Sequence, residues 1–161
     1  MVTEQMSMNG YYHVVCTDSQ GNIKWEDGIE NLVTTVGKNA TLDSILGNAG
    51  AGVVLMGLKG VGTAVVTDTM TSHASWAEIT AIAARVAPVF SVAAAGVKTT
   101  STPTSFTMTG SATVAGCFIV LGGTTVPGNT TGILFSAGDF ALARAVVATD
   151  ILLVTYTVTI T

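Results

Sequence analysis

The chain has 161 residues, only 10% of them charged, and a formal net charge of −4 at pH 7. Because only six residues are Lys or Arg and no two of these are adjacent, the composition disfavours a protein that binds nucleic acid through its phosphates. The longest apolar runs are shorter than the roughly 18 residues that a membrane-spanning helix needs. The sequence therefore predicts neither nucleic acid nor a membrane as a partner.

The distribution of charge is more informative than its total. Residues 99–138 contain no Asp, Glu, Lys, Arg or His, although Gly, Thr and Pro interrupt the stretch repeatedly, as in strands and turns. The mean hydropathy is +0.59, and the charged fraction lies well below the roughly 25% of a typical soluble domain. Surfaces so poor in charge usually contact other protein, so we expect a component of an assembly.

The N-terminal region predicts a hairpin followed by a short helix. Residues 11–17 have the composition of a strand, 18–21 that of a turn, and 23–26 that of the returning strand. We expect residues 1–36 to form a hairpin or arm that stands apart from a second domain, residues 37–161. Asn39 or Thr41 is expected to cap the helix, which should stop at Gly47. No secretion signal is visible at the start, which indicates synthesis in the cytoplasm.

The middle of the chain mixes short strands with irregular segments. Residues 53–58 predict a buried strand, 59–67 a loop, and 68–78 an irregular loop anchored by Trp76. Residues 85–93 are a strand candidate that Pro88 should push towards a sheet edge, followed by a polar turn at 98–102. Further strands are predicted at 105–113, 117–121, 133–136 and 140–147, the last two separated by a break at 137–139.

The C-terminal segment gives the clearest pattern. Val154, Tyr156, Val158 and Ile160 alternate with threonines, and a period of two is typical of a strand with one buried face. Strands every 8 to 12 residues, with turn residues between them, are typical of sandwiches and jelly rolls. We therefore predict an all-β fold, an antiparallel β-sandwich or jelly roll with one short helix.

No residue pattern predicts catalysis, a cofactor or a metal site. His73 follows Ser72, but no serine lies in the GxSxG context of a nucleophile elbow. The neighbouring residues instead predict that His73 makes a hydrogen bond that fixes the loop around Trp76. Cys16 and Cys117 each lie in an apolar run and are expected to be buried free thiols.

The most distinctive motif of the chain is residues 68–78, DTMTSHASWAE. This motif resembles one of small virion proteins encoded by tailed bacteriophages. The likeness covers most of the chain in the same order and includes 23–27 (IKWED), 31–34 (NLVT), 37–39 (GKN), 42–43 (LD), 115–120 (AGCFIV) and 154–158 (VTYTV). Two segments depart from the family pattern, namely Thr149-Asp150 and the alanine-rich run at 79–87.

The resemblance implies a structural protein of the virion without enzymatic activity. Its expected form is a cement or decoration protein that binds the outside of the head, contacts the major capsid protein and forms a homo-oligomer, with a trimer favoured. A tail, fibre or collar component and a carbohydrate-binding module are the alternatives. Aromatic anchors often dominate such interfaces, so the candidate contact residues are Tyr11, Tyr12, Trp25, His73 and Trp76.

Overall fold

The computed structural model of the protein describes residues 7–46 and 52–161. All strand pairings among them are antiparallel, which confirms the predicted all-β class with one short helix. The elements are β1 (Met8–Thr17), β2 (Ile23–Val33), α1 (Thr35–Leu46), β3 (Val54–Lys59), β4 (Val97–Thr99), β5 (Thr104–Thr107), β6 (Ala112–Leu121), β7 (Ile133–Val146) and β8 (Ile151–Ile160).

The strands form one sheet in the order β3-β6-β7-β2-β1-β8-β4, and β5 also pairs with β8. The sheet curls into a half-barrel, so that strands from both of its ends pack into one core, as they would in a sandwich. The expected alternation in β8 is present: Leu152, Val154 and Tyr156 are buried, whereas Thr155 and Thr157 are only partly covered. One face of β8 therefore packs in the core, and the other is partly exposed.

The sheet is covered on both faces where β3, β6 and β7 lie together. From Val114 to Leu121, every residue of β6 is buried. Inward side chains of β6 join the main core, while Phe118 and Val120 pack on the opposite face with Met70 and Trp76. The uncharged composition of this strand follows from its two buried faces.

The N-terminal hairpin forms as predicted, and its described residues are part of the sheet instead of standing apart as an arm. The turn closes where Gly21 N–H donates to the Asp18 carbonyl, with Gly21 at φ +87°. Strand β1 pairs with β8 along its whole length, and β2 pairs with β7 at residues 31–33. The hairpin thus lies at the centre of the sheet, because the alternating apolar residues of β1 and β8 complete one another's buried face.

The helix begins earlier than predicted. Thr34, rather than Asn39 or Thr41, is its cap: the Thr34 hydroxyl oxygen accepts a hydrogen bond from Gly37 N–H at 3.0 Å. Thr34 N–H also donates to the Phe135 carbonyl, which ties the start of the helix to β7. The predicted stop at Gly47 lies outside the described residues.

Residues 85–93 do not form the predicted strand. Most of them belong to an irregular segment, residues 77–91, that we call the strap. On one side the strap exchanges backbone hydrogen bonds with the outer edge of β3 and the residue after it, through Ala77, Ile79 and Val86. On the other side it bonds to residues 99–109, through Ala81, Val89 and Ser91. The strap therefore covers the β3 edge and reaches the opposite edge at Thr99, the last residue of β4.

Strand β7 is continuous where a break was predicted at 137–139. The irregularity lies just beyond: Asp139 pairs with Gly116, but the next pair joins Arg144 to Val114. Four residues of β7 thus lie opposite Ala115 alone, which forms a bulge in the strand. Beyond the bulge, Arg144 Nη2 lies 3.1 Å from Asp27 Oδ2 on β2.

Substitution of Gly116 tests the close approach of β6 and β7. A Cβ atom at this position would lie 1.9 Å from the Gly138 carbonyl oxygen, so the strands must move apart to accept it. We expect Gly116→Ala to lower the free energy of unfolding by about 2 kcal/mol or more, measured by urea denaturation. Gly110→Ala is the matched control, since its Cβ would meet no atom nearer than 3.7 Å. Equal stability of the two variants would contradict the predicted packing.

Candidate functional site

The five predicted contact residues fall into two groups. Tyr11 projects from the outer face of β1 and is 46% exposed, while Trp25 and His73 are partly buried. Tyr12 and Trp76 are buried in the two apolar clusters. The rings of Tyr12 and Trp76 thus pack in the protein's own core and are not presented on its surface.

Tyr12 belongs to a buried tyrosine pair. Its ring packs on that of Tyr156 with centroids 4.6 Å apart, and the two residues face each other in the β1–β8 register. The Tyr12 hydroxyl lies 3.0 Å from Ser136 Oγ, while the Tyr156 hydroxyl accepts from the Asn31 amide. Burial raises the pKa of both phenols, so each stays neutral and acts through hydrogen bonds.

Trp76 anchors the irregular loop predicted at residues 68–78. Its indole N–H donates to Asp68 Oδ2 at 2.8 Å, and Asp68 in turn accepts from Val65 N–H. His73 stacks on the indole with centroids 4.1 Å apart and donates from Nδ1 to the Trp76 carbonyl at 2.9 Å. The predicted loop-fixing role of His73 is confirmed.

A buried ion pair, which sequence patterns did not reveal, lies next to this loop. Arg85 binds Glu78 through two parallel hydrogen bonds, from Nε at 2.8 Å and from Nη2 at 2.6 Å. The guanidinium also donates to the carbonyls of Thr124 and Asn129. Glu78 Oε2 accepts in addition from Gly128 N–H at 2.7 Å. The pair therefore joins the strap to the loop of residues 124–129.

Lys59 forms a second internal ion pair at the end of β3. Its side chain is fully buried, and Nζ lies 2.6 Å from Asp139 Oδ1 on β7. It also donates to the carbonyls of Gly60 and Gly62 and lies 5.5 Å from the centre of the Trp76 ring. The ammonium group thus holds the glycine-rich turn after β3 against the tryptophan loop, and it is not presented to solvent.

Between these loops lies an open groove with a volume of about 570 Å³, lined by residues 70–80 and 128–130. His73, Glu78 and Asn129 are among its polar lining residues. Glu78 is engaged by Arg85, and His73 Nδ1 by the Trp76 carbonyl. Within the described residues, no serine or threonine hydroxyl is hydrogen-bonded to a histidine, so the groove presents polar and apolar contacts without a nucleophile paired to a base.

The outer face of β2, β1 and β8 is a second candidate surface. Across adjacent strands, Tyr11 lies beside Glu30 and Thr157, and a shallow depression of about 270 Å³ adjoins them. The Tyr11 hydroxyl passes over Gly28, where a Cβ atom would lie only 1.8 Å away. His13 is two residues after Tyr11 in β1, and its Nε2 lies 2.7 Å from Glu26 Oε1. This face carries hydroxyl groups from Tyr11 and the threonines of β8, with the carboxylates of Glu26 and Glu30 on the neighbouring β2.

Comparison of the sequence with models of known protein families found no match, and comparison with curated proteins also found none. In the described part of the chain, no helix is both long and apolar enough to cross a membrane. Nor do three or more His, Cys, Asp or Glu side chains of those residues gather to hold a metal ion.

Removal of the buried guanidinium should destabilise the fold strongly. We expect Arg85→Met to lower the free energy of unfolding by about 3–5 kcal/mol, because Glu78 is then left buried without a counter-charge. Lys98→Met, at an exposed lysine, should change it by less than about 0.5 kcal/mol. Both values come from chemical denaturation.

The double variant Glu78→Leu/Arg85→Met separates charge loss from packing loss. It should lose less stability than Arg85→Met alone, since no buried charge remains unpaired. An Arg85→Met variant as stable as the Lys98→Met control would show that the pair does not hold the strap.

Proposed function

We propose that this protein is a structural component of a tailed-phage virion, a cement protein that binds the outside of the head and bridges major capsid subunits without catalysing a reaction. The proposal combines the resemblance of residues 68–78 and the other shared segments with one structural observation. That observation is that the fold uses its few charges internally and leaves an exterior dominated by neutral side chains.

Four of the six basic side chains form ion pairs within the chain. They are Lys24 with Asp150, Lys59 with Asp139, Arg85 with Glu78, and Arg144 with Asp27. A surface without dense charge can be covered by another protein at a low desolvation cost, because few ions lose their water. Burying such a surface is thus cheaper than burying an ordinary protein exterior.

Many large apolar side chains remain exposed on this neutral surface. They occur in the loop after β3, in the strap and its continuation, and in the loop of residues 124–129; examples are Val61, Val65, Val89, Val92 and Val126. A cement protein needs contact area and not a reactive group, and a standard interface buries about 1,600 Å² in total. These valines supply apolar contact area of the required kind.

Tyr11 is the strongest individual candidate for a contact with the capsid. It is the most exposed of the five predicted residues, and it lies beside Thr157 at the shallow depression on this face. The burial of Trp76 removes one of the two tryptophans that could have formed a sugar-binding platform. This weakens the carbohydrate-binding alternative.

Electron cryomicroscopy of particles of the encoding phage tests the proposed place. We expect density for this chain on the outside of the head, at three-fold or quasi-three-fold positions, in contact with the major capsid protein. Density confined to the tail, fibres or collar would replace the cement function with that alternative. Absence from the particles would overturn the virion assignment.

A binding assay tests Tyr11 directly. Purified protein is added to capsids that lack it, and occupancy is measured after sedimentation. We expect Tyr11→Ala to weaken binding about 10-fold or more, as at an aromatic hot spot. Leu142→Ala, at a 67% exposed leucine in the bulged part of β7, is the control and should bind normally. Equal occupancy for Tyr11→Ala and the control would remove Tyr11 from the interface.

A further inference from the structure

Lys59 and Asp139 lie in one row of the sheet, on either side of Gly116. In the strand register Lys59 of β3 pairs with Gly116 of β6, and Gly116 pairs with Asp139 of β7. Residues paired in this way point to the same face of a sheet, and neighbouring strands are about 4.8 Å apart. Because glycine has no side chain, the space over β6 is free, and the lysine and aspartate side chains meet there.

The amine of Lys59 is held with one side towards the carboxyl group. The lysine side chain is fully buried, and Nζ donates to the carbonyls of Gly60 and Gly62, which engage two of the three N–H groups of an ammonium. The third position faces Asp139, since Nζ lies 2.6 Å from Oδ1 and hence at most about 3.8 Å from Cγ. The Trp76 ring, whose centre is 5.5 Å from Nζ, covers the same ammonium.

The contact between the two groups is not an ordinary hydrogen bond. Asp139 Oδ1 is buried, and among the described residues no donor is directed at it, although Nζ is so near. The other oxygen, Oδ2, accepts from Ala64 N–H at 2.9 Å. The carboxyl group is therefore fixed through Oδ2 and presents its Oδ1 side to the amine.

The pair of Lys24 and Asp150 shows the usual arrangement for comparison. Lys24 Nζ donates a hydrogen bond to Asp150 Oδ2, and the lysine side chain is 33% exposed. Asp150 Oδ2 also accepts from Val147 N–H at 2.9 Å. Water reaches this ammonium, and the oxygen has two directed donors, so the pair is stable as ions. The pair of Lys59 and Asp139 lacks both conditions.

We propose that Lys59 and Asp139 condense, without an enzyme, to an isopeptide bond between Nζ and Cγ. The ammonium first gives a proton to Oδ1, which leaves a neutral amine beside a neutral carboxylic acid. The amine lone pair then attacks Cγ, a second proton passes from nitrogen to Oδ1, and Oδ1 leaves as water. One N–C bond forms and one C–O bond breaks, and neither an oxidant nor an external reagent takes part.

Burial and proximity both favour this reaction. The first proton transfer removes two charges from a site that excludes water, where an ion pair is costly. Groups held in contact react as if present at effective concentrations of about 10⁵–10⁸ M, which offsets the tendency of amides to hydrolyse in water. The product keeps the hydrogen bond from Ala64 N–H to Oδ2, and its remaining N–H still reaches the Gly62 carbonyl. The released water has an exit, because the Asp139 side chain is 31% exposed.

Mass spectrometry of the purified, denatured full chain tests the bond. We expect the intact mass to be lower than the sequence mass by that of one water molecule. Trypsin should cleave after Lys24 and Lys98 but not after Lys59, so that peptides 39–85 and 99–144 are recovered as one joined species. Recovery of 39–59, 60–85 and 99–144 as separate peptides would overturn the proposal.

Variants identify the two partners. Lys59→Arg keeps a cation but has no primary amine, and Asp139→Ala has no carboxyl group, so each should show the full sequence mass. Lys24→Arg is the matched control and should still lack one water. A loss of water that persists in Lys59→Arg would overturn the assignment to this lysine.

The wild-type masses alone decide whether the bond exists, so the test holds even where a variant does not fold. The bond would join β3 to β7 across β6, and these strands could then not separate at this end of the sheet. Because the reaction takes place within one chain, its failure and the absence of this chain from virions are independent results.

Discussion

The ion pair between Arg85 and Glu78 is the interaction on which the closure of the fold depends. A curled open sheet has two edges, and each presents unpaired backbone N–H and C=O groups that invite further strands. The strap bonds along the β3 edge and to Thr99 at the end of β4, but it has no regular pairing of its own to keep it in place. The fully buried guanidinium fixes it from inside by holding Glu78 and two carbonyls of the loop at 124–129. Desolvation of this pair is costly, and the cost is offset only while all these partners are present.

The same pair determines the shape of the groove. Glu78 holds Gly128, and His73 and Trp76 are stacked on the opposite side of the loop cluster. Asp68 accepts a hydrogen bond from the Trp76 indole, and the Lys59 ammonium lies over its ring. Because charged groups with several partners hold the loops, the groove keeps its form without regular secondary structure. The irregular loops that line the groove are thus held in place by buried polar contacts instead of by strand pairing.

The parts of the fold that the sequence predicts are those in which a single segment shows a recognisable residue pattern, such as apolar alternation or a turn. The alternation in β8 predicted Tyr156 as a core residue, and the glycine-containing turn predicted the hairpin. Tyr11 and Tyr12 are adjacent, so one faces inward and the other outward, but only the register with β8 shows that Tyr12 meets Tyr156. The strap shows no repeating apolar pattern, because it bonds to different segments on its two sides. The partners in the four ion pairs of Lys and Arg are likewise far apart in sequence or lie in irregular segments, as Lys59 and Asp139 illustrate. No local spacing in the sequence marks them.

The internal use of charge has a consequence for how such a protein can associate. Charged side chains normally keep proteins apart, and only 10% of this chain's residues are charged. An open sheet edge on such a surface would invite strand-by-strand growth, but the strap bonds along the β3 edge of the described sheet. Association at that edge must therefore use side chains, such as the exposed valines. Contacts between side chains do not template a further strand, so a covered edge favours finite assemblies over fibres.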